Sequence, residues 1–134
     1  MMYEGGCLCG ALRFSARVRP VAAGYCHCAL CRRSTGAPAL AWASFPVEAF
    51  AYTKGRATRY DSSAWGHREF CNLCGTQICY RKSSDATTVD VNLGSMDNPA
   101  EFPPEYHLYE KDRISWFDTA DDLPRHAESG PGEG

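Results

Sequence analysis

The chain has no surplus of positive charge. Its 14 Lys and Arg stand against 16 Asp and Glu, a formal net charge of -2 over 134 residues. Proteins that live on phosphate backbones carry a marked basic excess, so nucleic acid is a disfavoured partner. Long apolar runs are missing too. The longest, Ala37 to Phe45, is about half of what spans a bilayer, which argues against a membrane protein. The opening residues MMYEGG show neither a basic nor an apolar signal segment, so the expected location is cytoplasmic. No stretch sustains helical periodicity, and no linker divides the chain. An H-E-x-x-H helix and the H-x-E deaminase signature are both absent, which disfavours metal-assisted peptide hydrolysis and base deamination. What is left is one domain with 44% hydrophobic content, enough to bury a core without staples.

Against these absences stand eight cysteines: Cys7, Cys9, Cys26, Cys28, Cys31, Cys71, Cys74 and Cys79. A disulfide framework fits poorly, because the pairs are tight (C-x-C, C-x-C-x-x-C, C-x-x-C) and no export signal is visible. Tight pairs suit a tetrahedral ion with sulfur about 2.3 Å away, which points to zinc. Glycine then sorts the ligands. Cys9 precedes Gly10 in GCLCG and Cys74 precedes Gly75 in CNLCG. A glycine there accepts positive φ and lets the backbone N–H groups curl toward sulfur. Cys7, Cys9, Cys71 and Cys74 are therefore expected to close one structural zinc site, tying the start of the chain to its middle.

Cys26, Cys28 and Cys31 form a second cluster, followed by Arg32 and Arg33 instead of glycine. Three protein ligands with a vacant fourth position are the pattern of a catalytic zinc. A fourth ligand from elsewhere would close the site. Cys79 is the first candidate, with His27 and His67 behind it, although Cys79 also reads as a buried strand thiol. His27, between two ligands, reads as pointing away from the ion.

The rest of the pattern is mostly β. Leu12, Phe14, Ala16 and Val18 alternate with Arg13, Ser15, Arg17 and Arg19, a half-buried strand. Further strands are expected at 39–45, 56–60, 67–71, 76–81 and 87–93, with short turns at 47–50, 96–99 and 119–123. Trp42, Phe45 and Trp65 could line a pocket or fill the core. Asp97 and Asn98 read as turn residues. Residues 1–125 are expected to form the domain and residues 126–134 a flexible polar tail.

GCLCGALRF, CHCALCRRSTG, FCNLCGTQI, NLGSMDNP and WFDTADDLP, taken together and in this order, resemble the glutathione-dependent formaldehyde-activating enzymes and centromere protein V. The likeness spans about residues 3 to 125. It implies stacked, zinc-held β-sheets (a β-tent) and two zinc ions per chain. Cys7, Cys9, Cys71 and Cys74 would hold the structural zinc, and Cys26, Cys28 and Cys31 the active-site zinc. It also implies a carbon–sulfur lyase activity that joins glutathione to formaldehyde, giving S-hydroxymethylglutathione.

The residues alone make that chemistry reasonable. Three thiolates outweigh the charge of zinc, so the site is net negative and a weak activator of water. A soft vacant position favours another thiolate. The expected substrates are thus a small, glutathione-like thiol and a small aldehyde, with Arg32 and Arg33 as substrate-binding cations that offset the thiolate charge. The alternative is a non-catalytic zinc module for protein interaction, with both zincs structural. Oligomeric state is left open.

Overall fold

Alternation of apolar and polar residues marks a strand with one face buried and the other solvated. The computed structural model describes residues 2–85 and 87–130. In chain order its elements are β1 (Tyr3–Gly6), β2 (Arg13–Ala16), β3 (Ala22–Cys26), α1 (Ala29–Thr35), β4 (Leu40–Pro46) and β5 (Phe50–Lys54). There follow β6 (Thr58–Ser63), β7 (Gly66–Phe70), β8 (Gln77–Lys82), β9 (Thr88–Asn92) and β10 (His107–Leu108). The expected strands from 39–45 onward appear as β4, β6, β7, β8 and β9, with ends shifted by one to three residues. The first expected strand is cut to β2: Leu12, Phe14 and Ala16 are buried, but Val18 is exposed because the chain has already left the sheet. The turn expected at 47–50 is a single 3-10 turn, Val47–Ala49.

β1, β3, β5, β10 and the helix α1 were not anticipated. Seven residues are too few for a helical period to register. β3 is built from weak strand formers, Ala22, Ala23 and Gly24, and owes its conformation to pairing with β4 on one side and β10 on the other.

Two sheets result, β1-β2-β5 and β10-β3-β4-β9-β8-β7-β6. They stack through one core, to which Leu12 and Phe14 contribute from the small sheet and Ala43, Phe45, Ile78, Val89 and Val91 from the large one. The fold is mainly β, with two sheets and one helix in a single domain. Register assigns the faces. Glu69, Cys79, Val91 and Ala43 pair in one row across β7, β8, β9 and β4. The next row, Arg68, Tyr80, Asp90 and Ser44, therefore points to the opposite face. That outer face carries the second cysteine cluster.

The expectation of an unpacked tail fails for residues 126–130. His126 N–H donates to His107 O at 2.8 Å and Tyr109 N–H to Glu128 O at 3.0 Å, so this segment continues alongside β10. Backbone hydrogen bonding, invisible in the polar composition, holds it there. Residues 131–134 of the expected tail lie outside the described residues. No helix among the described residues is long and apolar enough to cross a membrane.

Candidate functional site

The first cysteine set joins the two sheets. Cys7 and Cys9 sit in the loop after β1, Cys71 and Cys74 in the loop after β7, and their four sulfurs lie within 4.8 Å of one another. Cys7 Sγ is 3.6 Å from Cys9 Sγ, and Cys9 Sγ is 3.8 Å from Cys71 Sγ. Four sulfurs about 2.3 Å from a tetrahedral ion would stand about 3.8 Å apart, so the set fits a metal such as zinc. Its two halves repeat one backbone shape. Gly10 and Gly75 share φ +81, and Gly10 N–H bonds Cys7 O at 3.2 Å as Gly75 N–H bonds Cys71 O at 2.8 Å. Leu12 N–H donates to Cys7 Sγ at 3.2 Å. Thr76 acts on the Cys74 thiol, through its hydroxyl first and its N–H second, and holds it down at about 5.

The second set is local. Cys26 ends β3, Cys28 is the N-cap of α1, and Cys31 lies in the first turn of that helix. Cys28 Sγ accepts the Cys31 N–H at 3.3 Å, so the atom that caps the helix is also one of the three clustered sulfurs. Cys31 Sγ is 3.1 Å from Cys26 Sγ. Hydrogen bonds from Cys26 and Cys31 hold the Cys28 thiol far below the usual thiol range, at about 2, whereas the Cys26 and Cys31 thiols are shifted up. Among the described residues, no fourth Cys, His, Asp or Glu atom lies within 4.8 Å of all three sulfurs.

The candidates for closing this set are accounted for elsewhere. Cys79 faces the small sheet, where its sulfur is 3.3 Å from Glu69 Oε1 and 3.7 Å from the Tyr52 hydroxyl. Burial, and then the Glu69 charge, push its thiol up to about 12, so it stays protonated. His67 Nε2 is 2.8 Å from Glu69 Oε2. His27 turns away from the sulfurs, as its position between two ligands suggested, and its Nε2 lies 2.8 Å from His107 Nδ1. His107 Nε2 in turn reaches Asp121 Oδ1 at 3.1 Å. This chain of contacts fastens the C-H-C turn to β10.

The three sulfurs sit in a cleft of about 620 Å³ on the outer face of the large sheet. Trp42, Trp65, Tyr80 and Tyr109 line it, together with the cations Arg68, Lys82 and Lys111 and the acids Asp90 and Asp112. Trp42 and Trp65 thus reach the pocket, whereas Phe45 is fully buried between the sheets. Arg32 and Arg33 are not brought to its wall: Arg32 is half-buried with Nε unpartnered, and Arg33 is exposed. A helix turns its residues every hundred degrees or so, and α1 directs these two away from Cys31. Asp97 lies elsewhere, paired with Arg13 and donating its N–H to Glu4 O at 2.9 Å. Arg68, Lys82 and Lys111 are the cleft cations that reading the sequence missed. The stretch 67–71 was legible as a strand, but not which of its faces would meet the cysteines.

A model of the glutathione-dependent formaldehyde-activating enzymes matches residues 2–112. The chain is 30% identical over 97 residues to an uncharacterized lyase of Schizosaccharomyces pombe, a match covering 67% of this chain and 65% of that protein. The chain thus spans just under two thirds of that relative's length. It is 25% identical over 127 residues to a Halomonas elongata protein that carries the family name, covering 88% of this chain and 81% of the relative. A crystal structure of a Rhodobacter sphaeroides protein has the same fold, with a TM-score of 0.59 at 20% identity, over 91% of this chain and 98% of that one. On the family match, the chain belongs to the glutathione-dependent formaldehyde-activating enzyme family.

Proposed function

We propose that this protein is a carbon–sulfur lyase-type enzyme that adds a glutathione-like thiol to a small aldehyde such as formaldehyde, giving an S-hydroxymethyl adduct. The observation that carries the reading is the open set of three sulfurs on the wall of a cleft. A cleft of about 620 Å³ is in the range that encloses a tripeptide-sized ligand. Zinc bound by Cys26, Cys28 and Cys31 would supply a soft fourth position that takes a substrate sulfur as thiolate. The chain itself positions the partners. Trp42 and Trp65 give the cleft apolar walls. In the addition, sulfur forms a bond to the aldehyde carbon and the carbonyl π electrons move to oxygen. That oxygen ends with the proton the thiol gave up, so thiol plus aldehyde equals adduct. Reversal cleaves the same carbon–sulfur bond.

On this reading each chain carries two zinc ions, one structural at Cys7, Cys9, Cys71 and Cys74 and one at the open set. Metal analysis of protein purified without chelator should find close to two zinc per chain; a single ion, or iron, would refute that count. The substrate role is tested by calorimetry. Thiol binding should release one proton and tighten as pH rises toward the free thiol pKa, about 8.5. A glutathione analogue with oxygen in place of sulfur should bind far more weakly, because an alcohol is a hard and poorly ionised ligand. Equal binding of the oxygen analogue, with no proton released, would sink the reading and favour an interaction module with two structural zincs.

A further inference from the structure

Arg68 is a cation in an expensive place. Register puts it on the outer face of β7, beside Tyr80 of β8, and it lines the cleft. The residue is only 6% exposed. Its guanidinium carbon lies 4.9 Å from the Tyr80 ring centroid. Its Nε is buried with no hydrogen-bond partner, and no carboxylate pairs with it among the described residues. An arginine cannot shed its charge, so burying one without an anion is costly. The cleft that Arg68 lines is also lined by Cys26, Cys28 and Cys31.

Depth separates Arg68 from the other cations of the cleft. Lys111 has a side chain 50% exposed and is bonded to Glu128 at 2.7 Å, a position suited to a substrate's tail. Arg68 is buried in the wall of the cleft it shares with Cys26, Cys28 and Cys31. Resting on the thiol-binding reading above, we propose that Arg68 is the counter-cation for the substrate's sulfur, and that the site recognises thiols by that atom whatever charge their tails carry. Three thiolates and one zinc leave one negative charge, which would repel an incoming thiolate. The positive charge of Arg68 offsets it.

The test uses cobalt-loaded protein, whose thiolate-to-metal charge-transfer absorption reports a fourth sulfur directly. Glutathione, mercaptoethanol and cysteamine, anionic, neutral and cationic in turn, are titrated into wild type, Arg68→Gln and Arg68→Lys. Arg68→Gln should weaken all three by the same factor, roughly thirtyfold or more, as when one partner of a buried charge pair is removed. Arg68→Lys should restore most of that loss. If Arg68→Gln does not hold cobalt, Arg68→Lys carries the comparison, with a smaller loss that must still be equal across the three thiols. A loss ranked by tail charge, or no loss in Arg68→Gln, overturns the proposal. Wild type that holds cobalt but responds to no thiol overturns the thiol-binding reading instead.

Discussion

Cys71→Ser is expected to yield a chain that does not fold, or that aggregates, at temperatures where wild type is native. The Cys71 residue is 2% exposed and packs in the core between the sheets, with its sulfur 3.8 Å from that of Cys9. Its set fastens the loop after β1 to the loop after β7, and so holds the small sheet on the large one. Structural zinc contributes on the order of 10 kcal/mol to folding in such sites. The whole stability of a domain this size is about 5–15 kcal/mol, so losing the ion removes most or all of it. Circular dichroism and zinc content measure the outcome, with chelator-treated wild type as the parallel case. A Cys71→Ser variant melting within a few degrees of wild type would show that the fold does not rest on this set.

Cys28→Ser should behave in the opposite way, folded but with the second metal lost and thiol binding abolished. Cys26 and Cys31 belong to a separate small cluster with Leu40, Trp42 and Leu108, apart from the core between the sheets. Serine at the N-cap of α1 still offers an oxygen to the Cys31 N–H, so the helix keeps its cap and the loss from capping stays within about 1 kcal/mol. A native circular dichroism spectrum with one metal fewer, and no calorimetric signal with glutathione, is the expected pair of results. Equal falls in melting temperature for Cys28→Ser and Cys71→Ser would make the second set structural as well, and the interaction-module reading would then lead.

The cysteine grouping was legible because metal ligands announce themselves locally. Two ligands separated by one or two residues must share an ion, and the glycine after each second ligand marks the backbone turn that Gly10 and Gly75 adopt at φ +81. The same locality made β4, β8 and β9 legible, since alternation is a property of neighbouring residues. Expectation failed where a residue's partners lie far along the chain. Cys79 was a plausible fourth ligand until pairing with Val91 and Glu69 turned it to the inner face. Arg32 and Arg33 were near the ligands in sequence but not in the cleft, whereas Arg68, 37 positions beyond Cys31, lines the cleft with it.

Short segments of the sequence were enough for the two cysteine groupings, the mainly β class and, through its motifs, the family. These rest on short-range chemistry: ligand spacing, glycine conformation and period-two patterning, each contained within a few residues. The folded chain, by contrast, shows that the second set stays open among the described residues, that Arg68 lines the cleft while Arg32 and Arg33 do not, and that residues 126–130 pack beside β10. Those facts depend on strand register, and a shift of one residue would exchange the two faces of β7 and carry Arg68 into the core. Register is set by the sum of contacts across all the strands of the sheet, and no single segment contains it.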